Sequence, residues 1–226
     1  MHLAPRKFSL REGRKLPLNN LNDRNFAEGI AWLCQVDPDL KRIHTEFGPP
    51  PLWRRDTGFP TLVHLILEQQ VSTASAEATL AKLKLAIPSL TPENFLDLSE
   101  IELRQIGFSR QKTAYCQGLA RLILDHGLDL DGLSELDDSS VRSRLLQIKG
   151  IGNWTADNYL LMALLRPDVL PAGDLALIVA VKELKRLAAR PTVPEVEQIA
   201  KAWQPWRGVA TRFLWHFYIS KRNHPN

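Results

Sequence analysis

Leu145-Leu146-Gln147-Ile148-Lys149-Gly150-Ile151-Gly152-Asn153-Trp154-Thr155-Ala156 is the stretch on which the reading turns. Val141, Leu145 and Ile148 recur at helical spacing and form the apolar stripe of a first helix, with Asp138 or Ser139 as its cap. Gly150 and Gly152 bracket Ile151, and the spacing predicts a second helix from about Trp154 to Leu165, stopped by Pro167. Glycine reaches backbone conformations that other residues resist and lets an anion approach the chain closely. Ile151 is placed to plug the space between the two helices. The free N–H groups and positive dipole end of the second helix would face a phosphate. An ordinary helix–helix turn with a glycine cap explains G-I-G alone equally well. The longer string L-x-x-I-K-G-I-G-x-W-T-A is far more specific, and a backbone cradle of that kind grips phosphate without reading sequence.

Working outward, Leu103-Arg104-Gln105-Ile106 and the following Thr113-Ala114 repeat the layout of Leu145-Leu146-Gln147-Ile148 and Thr155-Ala156, as a degenerate copy of one helix–turn–helix unit. Helical periodicity dominates elsewhere. Phe26, Ile30, Leu33 and Cys34 line one face, with Asp23 as a candidate N-cap. Pro49, Pro50 and Pro51 break the chain. An amphipathic run follows over Thr61–Leu85, and Thr91 with Asn94 marks another helix start. Strand alternation and hairpin turns are missing from the pattern. The expectation is an all-α protein with short connections.

The chain of 226 residues has room for one large domain or two small interlocked ones. Hydrophobic residues make up 44% and charged residues 24%, so a core can be buried. A net charge of +4 and a pI near 9.2 favour a polyanionic partner over an acidic one. The cysteines, Cys34 and Cys116, lack metal-ligand spacing, which excludes a four-cysteine iron–sulfur cluster. A disulfide scaffold is not expected, and a reducing compartment fits. The opening MHLAPRKFSL lacks the apolar run of a secretion signal, and no stretch matches a membrane span, so a cytoplasmic protein without a membrane partner is expected (nuclear in a eukaryote). Residues 1–20 carry Arg6, Lys7, Arg11, Arg14 and Lys15, either as a loose basic arm or as a nonspecific phosphate contact.

Four ordered segments carry a resemblance. The 145–156 string resembles the helix-hairpin-helix of the DNA glycosylase superfamily that also carries a Gly/Pro-rich loop and an aspartate. Pro171-Ala172-Gly173-Asp174 is similar to that loop. Leu67-Glu68-Gln69-Gln70-Val71-Ser72 looks like the family's Q-Q-[VIL]-S stretch. Trp203-Gln204-Pro205-Trp206-Arg207-Gly208-Val209-Ala210 is similar to the W-x-P-W-R-x-x-A segment of the 3-methyladenine DNA glycosylase II, or AlkA, type. The resemblance runs from about Leu62 to Tyr218. It implies two helical subdomains with the active site in the cleft between them. Residues 60–168, with the hairpin at 139–165, would form the central one. Residues 21–59 and 169–226 would form the other. The larger members carry an N-terminal β-rich domain, and too few residues precede Leu62 to build one, so a compact form is expected.

The resemblance implies a monofunctional glycosylase of base excision repair. It would bind duplex DNA, as a monomer, flip an alkylated purine and hydrolyse its N-glycosidic bond. Candidate substrates are 3-methyladenine and 7-methylguanine, with 1-methyladenine, ethenoadenine and hypoxanthine as further candidates. Asp174 precedes a helical run, Leu175–Leu187, and serves as an N-cap, as the carboxylate beside the reacting sugar, or as both. Bond cleavage builds positive charge on the sugar, which a fixed carboxylate stabilises. Trp154 stands where members that also cut the strand have a Schiff-base lysine, and an indole offers no such nucleophile. Trp154 and Trp215, with Tyr159, are the candidate base pocket, since electron-rich rings attract cationic bases. Trp206 is expected to pack a helix junction, and the pocket to be poor in acids other than Asp174. Gly150, Ile151, Gly152, Lys149 and Thr155 are the candidate DNA contacts of the hairpin. Gln70 is either the wedge that fills the gap left by the flipped base or a surface glutamine at a helix end. Ser72 or Thr73 would cap the next helix and touch a phosphate. Glu68 stands where the family usually has a small residue, and would crowd DNA or point to solvent. No cofactor is expected, although backbone carbonyls of 148–153 are candidates to hold Na+ or K+. Two rival readings stand beside this one: a bifunctional glycosylase/lyase and a non-catalytic hairpin module that only grips DNA.

Overall fold

The computed structural model describes residues 20–223, so the basic arm read at 1–20 lies outside the described residues but for Asn20. Among the described residues the structure is helical, without strands. In chain order the helices are α1 (Asp23–Val36), α2 (Pro38–Phe47), α3 (Phe59–Glu68), α4 (Thr73–Ala86), α5 (Pro92–Leu96) and α6 (Glu100–Ile106). There follow α7 (Arg110–His126), α8 (Asp138–Leu146), α9 (Asn153–Asn158), a π turn (Tyr159–Ala163), α10 (Leu175–Leu184), α11 (Val193–Ala200) and α12 (Arg207–Asn223).

Short polar side chains start most of these helices, whereas α3 and α9 start at Gly58 and Gly152. The Thr91 hydroxyl accepts from Asn94 N–H as expected. Two caps sit one or two residues earlier than predicted: Asn22 caps α1 in place of Asp23, and Asp137 caps α8 in place of Asp138 or Ser139. In each case the earlier side chain reaches the first free N–H groups, an interaction worth about 1 kcal/mol. The Thr61–Leu85 run is two helices, because the chain turns out of helical conformation at Gln69 and takes a left-handed φ of 58° at Gln70. Apolar spacing continues across that break and conceals it. The second hairpin helix also departs from expectation: α9 widens into the π turn, where Leu164 N–H donates to the Tyr159 carbonyl.

Two cores form. Leu62, Leu65, Phe95, Leu119, Val141 and Leu160 belong to one, built from α3–α9 and the π turn. Phe26, Leu33, Leu40, Val181, Trp203 and Phe213 belong to the other, where α1 and α2 meet α10–α12. Burying each such side chain contributes roughly 1.5–3 kcal/mol before entropy is subtracted. Trp215 of α12 crosses over and packs in the first core. The chain passes between the cores near Pro167, where Gly208 N–H donates to the Pro167 carbonyl at 2.8 Å. Arg207 holds the same junction through three hydrogen bonds to Asp168, one from its backbone N–H and two from its guanidinium. Trp206 packs against Gly29 of α1, the junction role expected for it.

Candidate active site

A cleft of about 1430 Å³ opens where the α3–α4 turn, α7, the α8–α9 hairpin, the start of α10 and α12 converge. Asp174 lies in it, only 9% exposed. Its backbone is extended and its Oδ1 accepts from Leu177 N–H at 2.8 Å, so it caps α10. Oδ1 also accepts from the Trp215 indole N–H at 3.1 Å, and Oδ2 accepts from the Trp154 indole N–H at 2.7 Å. A carboxylate oxygen has two acceptor positions. Oδ1 is filled, and one position on Oδ2 is left for a partner in the cleft. The cap and catalytic readings of Asp174 are compatible, because the cap fixes the group.

Trp154 and Trp215 therefore meet the carboxylate through their ring edges. A third indole, Trp53, packs on Trp215 with ring centroids 6.2 Å apart at 67°. Sequence reading passed over Trp53, which lies beyond the proline break outside every quoted motif. Its left-handed φ of 47° marks a bend in its loop. Arg212 anchors that loop: wholly buried, it donates to the carbonyls of Leu52, Gly208 and Leu161. Burial pushes its pKa down to about 9.

The hairpin faces the same cleft. Gly150 has φ 94°, and a Cβ there would lie inside the Tyr115 ring of α7, so both conformation and space require glycine. Gly152 is the N-cap of α9 and has no side chain to close it. Ile151 is buried against the first core as the expected plug. Gln69 bridges to the hairpin, its Nε2 donating to the Gly150 carbonyl and the Thr155 hydroxyl, both at 2.9 Å. Thr155 is buried and braces this bridge. Gln70 is exposed at the α3–α4 turn, and Ser72 caps α4 by accepting from Ser75 N–H. Both line the cleft, whereas Lys149 is exposed on the hairpin outside the lining. Lys112 lines the cleft but its ammonium donates to the Leu67 carbonyl at 2.7 Å.

Three expectations need correction. Tyr159 is not in the pocket: it is fully buried in the first core, with its hydroxyl accepting from Gly58 N–H at 2.9 Å. Five helical residues turn it to the far side from Trp154, and burial raises its pKa. Glu68 neither crowds DNA as a bare charge nor points to solvent, since Arg55 grips both its oxygens. The cleft is not poor in acids, because Glu68 and Glu77 line it beside Asp174. Arg55 and Tyr115 were missed, as neither falls in a motif; only packing brings them here. Among the described residues no group of three His, Cys, Asp or Glu is arranged for a metal ion, and no helix is long and apolar enough to cross a membrane.

Comparisons with known proteins fit this geometry. A DNA-3-methyladenine glycosylase of Bacillus subtilis is 35% identical over 124 residues, covering 54% of this chain and 41% of that protein. A second Bacillus subtilis relative, YfjP, is 32% identical over 124 residues, and the chain spans 43% of its length. The chain thus matches less than half of either protein. DNA-3-methyladenine glycosylase 1 of Schizosaccharomyces pombe is 30% identical over 198 residues, covering 84% of this chain and 87% of that one. Among solved structures, a Schizosaccharomyces pombe 3-methyladenine DNA glycosylase in complex with abasic DNA superposes with a TM-score of 0.73 at 27% identity, over 83% of this chain and 95% of that one. A DNA-3-methyladenine glycosidase from Bacillus halodurans gives 0.72 at 28%, over 89% and 93%. Residues 63–205 match the family described as HhH-GPD superfamily base excision DNA repair protein, so the chain belongs to that superfamily.

Proposed function

We propose that the protein is a monofunctional DNA glycosylase that releases alkylated purines from duplex DNA and leaves an abasic site. The observation that carries this reading is the Asp174 carboxylate, held by two indole N–H groups and a backbone N–H with one acceptor position of Oδ2 left over. The relatives named above supply the substrate class, and their likeness to this chain supports it. Phosphates would dock on the open start of α9 at Gly152, and Gln70 at its exposed turn would fill the stack vacated by the base. The C1′–N bond then breaks, its electron pair leaving with the base. Positive charge grows on the deoxyribose, and Asp174 stabilises it. Water adds to C1′, and its proton departs through Asp174 or solvent. A base already alkylated on a ring nitrogen leaves as a neutral molecule, so strong acid assistance is unnecessary. Trp53, Trp154 and Trp215 form the aromatic side of the pocket, where a cationic ring gains about 0.5–2 kcal/mol per contact.

A monovalent cation at the hairpin carbonyls fits this reading. The Gly150 and Ile148 carbonyls each accept one hydrogen bond, from Gln69 and Ile151 N–H, which leaves each an acceptor position. Bound there, the ion would add positive charge beside the phosphate.

The test is incubation with methylated duplex DNA. Free alkylpurine with an unbroken strand is expected, and borohydride should trap no protein–DNA adduct. Strand cleavage with a trapped adduct would instead identify a lyase. Tight binding without base release would identify a gripping module.

A further inference from the structure

An ion pair stands in the cleft that neither the hairpin nor Asp174 uses. Arg55 Nη2 and Nη1 donate to Glu68 Oε1 and Oε2 at 2.7 and 2.9 Å, a two-pronged geometry that fixes both groups. Their side chains are 20% and 12% exposed, so solvent screens them weakly. His64 lies 3.5 Å from Glu68 Oε1, and burial together with the Arg55 charge pushes its pKa down, so it adds no charge near neutral pH. The pair is thus electrically balanced.

Its position ties it to the reacting centre. Arg55 comes two residues after Trp53, whose ring meets Trp215, whose indole holds Asp174. Arg55 N–H also donates to the carbonyl of Met162, another residue of the cleft wall. Glu68 ends α3 immediately before Gln69 and Gln70, the bridge and exposed tip of the α3–α4 turn. The pair therefore spans from the aromatic wall to the turn.

We propose that the Arg55–Glu68 pair is a specificity element that sets how the cleft weighs cationic alkylpurines against neutral purines. This inference rests on the glycosylase reading above. A base alkylated on a ring nitrogen arrives with a positive charge and departs neutral. A neutral purine such as hypoxanthine arrives uncharged and departs with the electron pair, as an anion. With the pair intact, the wall favours neither. Removing Glu68 leaves a guanidinium that repels the incoming cation and stabilises the departing anion. Removing Arg55 leaves a carboxylate with the opposite preference.

The experiment measures release of 7-methylguanine and hypoxanthine from matched duplexes by the wild-type protein, Arg55→Gln, Glu68→Gln and the double variant. Glutamine keeps hydrogen-bonding capacity at both positions. Glu68→Gln should shift the 7-methylguanine to hypoxanthine ratio of kcat/KM toward hypoxanthine by about ten-fold, and Arg55→Gln should shift it the other way by a smaller factor, because His64 without the Arg55 charge takes up a proton more readily and partly offsets Glu68. The double variant should return close to the wild-type ratio. Both rates come from one preparation, so a reduced folded fraction cancels. A ratio unchanged in both single variants, or moved the same way in both, overturns the proposal and leaves the pair a brace. Hypoxanthine released by none of the proteins, Glu68→Gln included, also overturns it. A wild-type protein that releases neither base sinks the glycosylase reading itself.

Discussion

The hairpins α6–α7 and α8–α9 share a sequence layout, yet only the second brings its turn to the site. At the position of Gly150 the first hairpin has Phe108, buried in the core. Its Ser109 caps α7 by accepting from Lys112 N–H, so the helix start is closed by its own side chain. Lys112 aligns with Trp154, and its ammonium serves the Leu67 carbonyl while the Trp154 indole serves Asp174. The turns themselves differ: the left-handed glycine is Gly107 in the first and, one aligned position later, Gly150 in the second, and the link between the helices is longer in the second. They differ also in whether the turn leaves unused N–H groups, and in whether its helix points a donor at a carboxylate. A helix–turn–helix unit is thus a scaffold, and a few side chains decide whether it packs or binds.

The largest expected effect tests whether the open hairpin leads to chemistry. Asp174→Asn should lower base release by about 100- to 1000-fold. Asparagine can still accept from Leu177 N–H and the Trp215 indole, but its amide nitrogen then faces the Trp154 indole N–H, so the variant should stay folded and bind abasic DNA at a stability about 1–3 kcal/mol lower. Turnover near wild type in the folded variant would remove the functional half of the comparison. Next, Trp154→Phe deletes the indole N–H that donates to Oδ2 while keeping an aromatic ring. A hydrogen bond to a charged group is worth about 1.5–3 kcal/mol, so kcat should fall about ten- to a hundred-fold with little change in KM. A loss confined to KM would make Trp154 a binding surface only.

A smaller effect comes from closing the second hairpin the way the first is closed. Gly152 has ordinary extended φ and ψ, and a Cβ there meets nothing within 4 Å. Gly152→Asp should therefore cap α9 and raise stability by a few tenths of a kcal/mol, while weakening DNA binding about ten-fold by filling and charging the anion site. Unchanged binding in a salt titration would show that phosphate docks elsewhere. The smallest effect is the converse: Ser109→Gly should cost only a few tenths of a kcal/mol and leave DNA affinity unaltered.

Much of this was legible before any coordinates. The hairpin, its plug Ile151 and the Asp174 loop rest on short-range signals: glycines at a turn, apolar spacing on either side, a short polar residue ahead of a helix. Element ends were less legible. The break at Gln69–Ser72 is carried by the Gln69 bridge to Gly150 and Thr155, a contact across some eighty residues that local spacing cannot register. Tyr159 reads as a pocket residue from its place in the motif, although its spacing of about one and a half turns from Trp154 already puts it on a different side of the helix, and that side is the core. Trp53 and Arg55 gave no local signal, since an indole or guanidinium after a proline run fits any loop.

The sequence by itself determined the helical class, the hairpin with its open glycine turn, and the aspartate placed to cap a following helix. Each depends on interactions within a few residues, where backbone preference and side-chain reach act directly. Only the tertiary structure decided that Trp154 and Trp215 aim their indole N–H groups at one carboxylate, that Arg55 neutralises Glu68, and that Trp53 joins the cleft wall. Those pairings join residues far apart along the chain, and they exist because two separate cores, in settling against each other at Pro167 and Gly208, bring their edges to a common cleft.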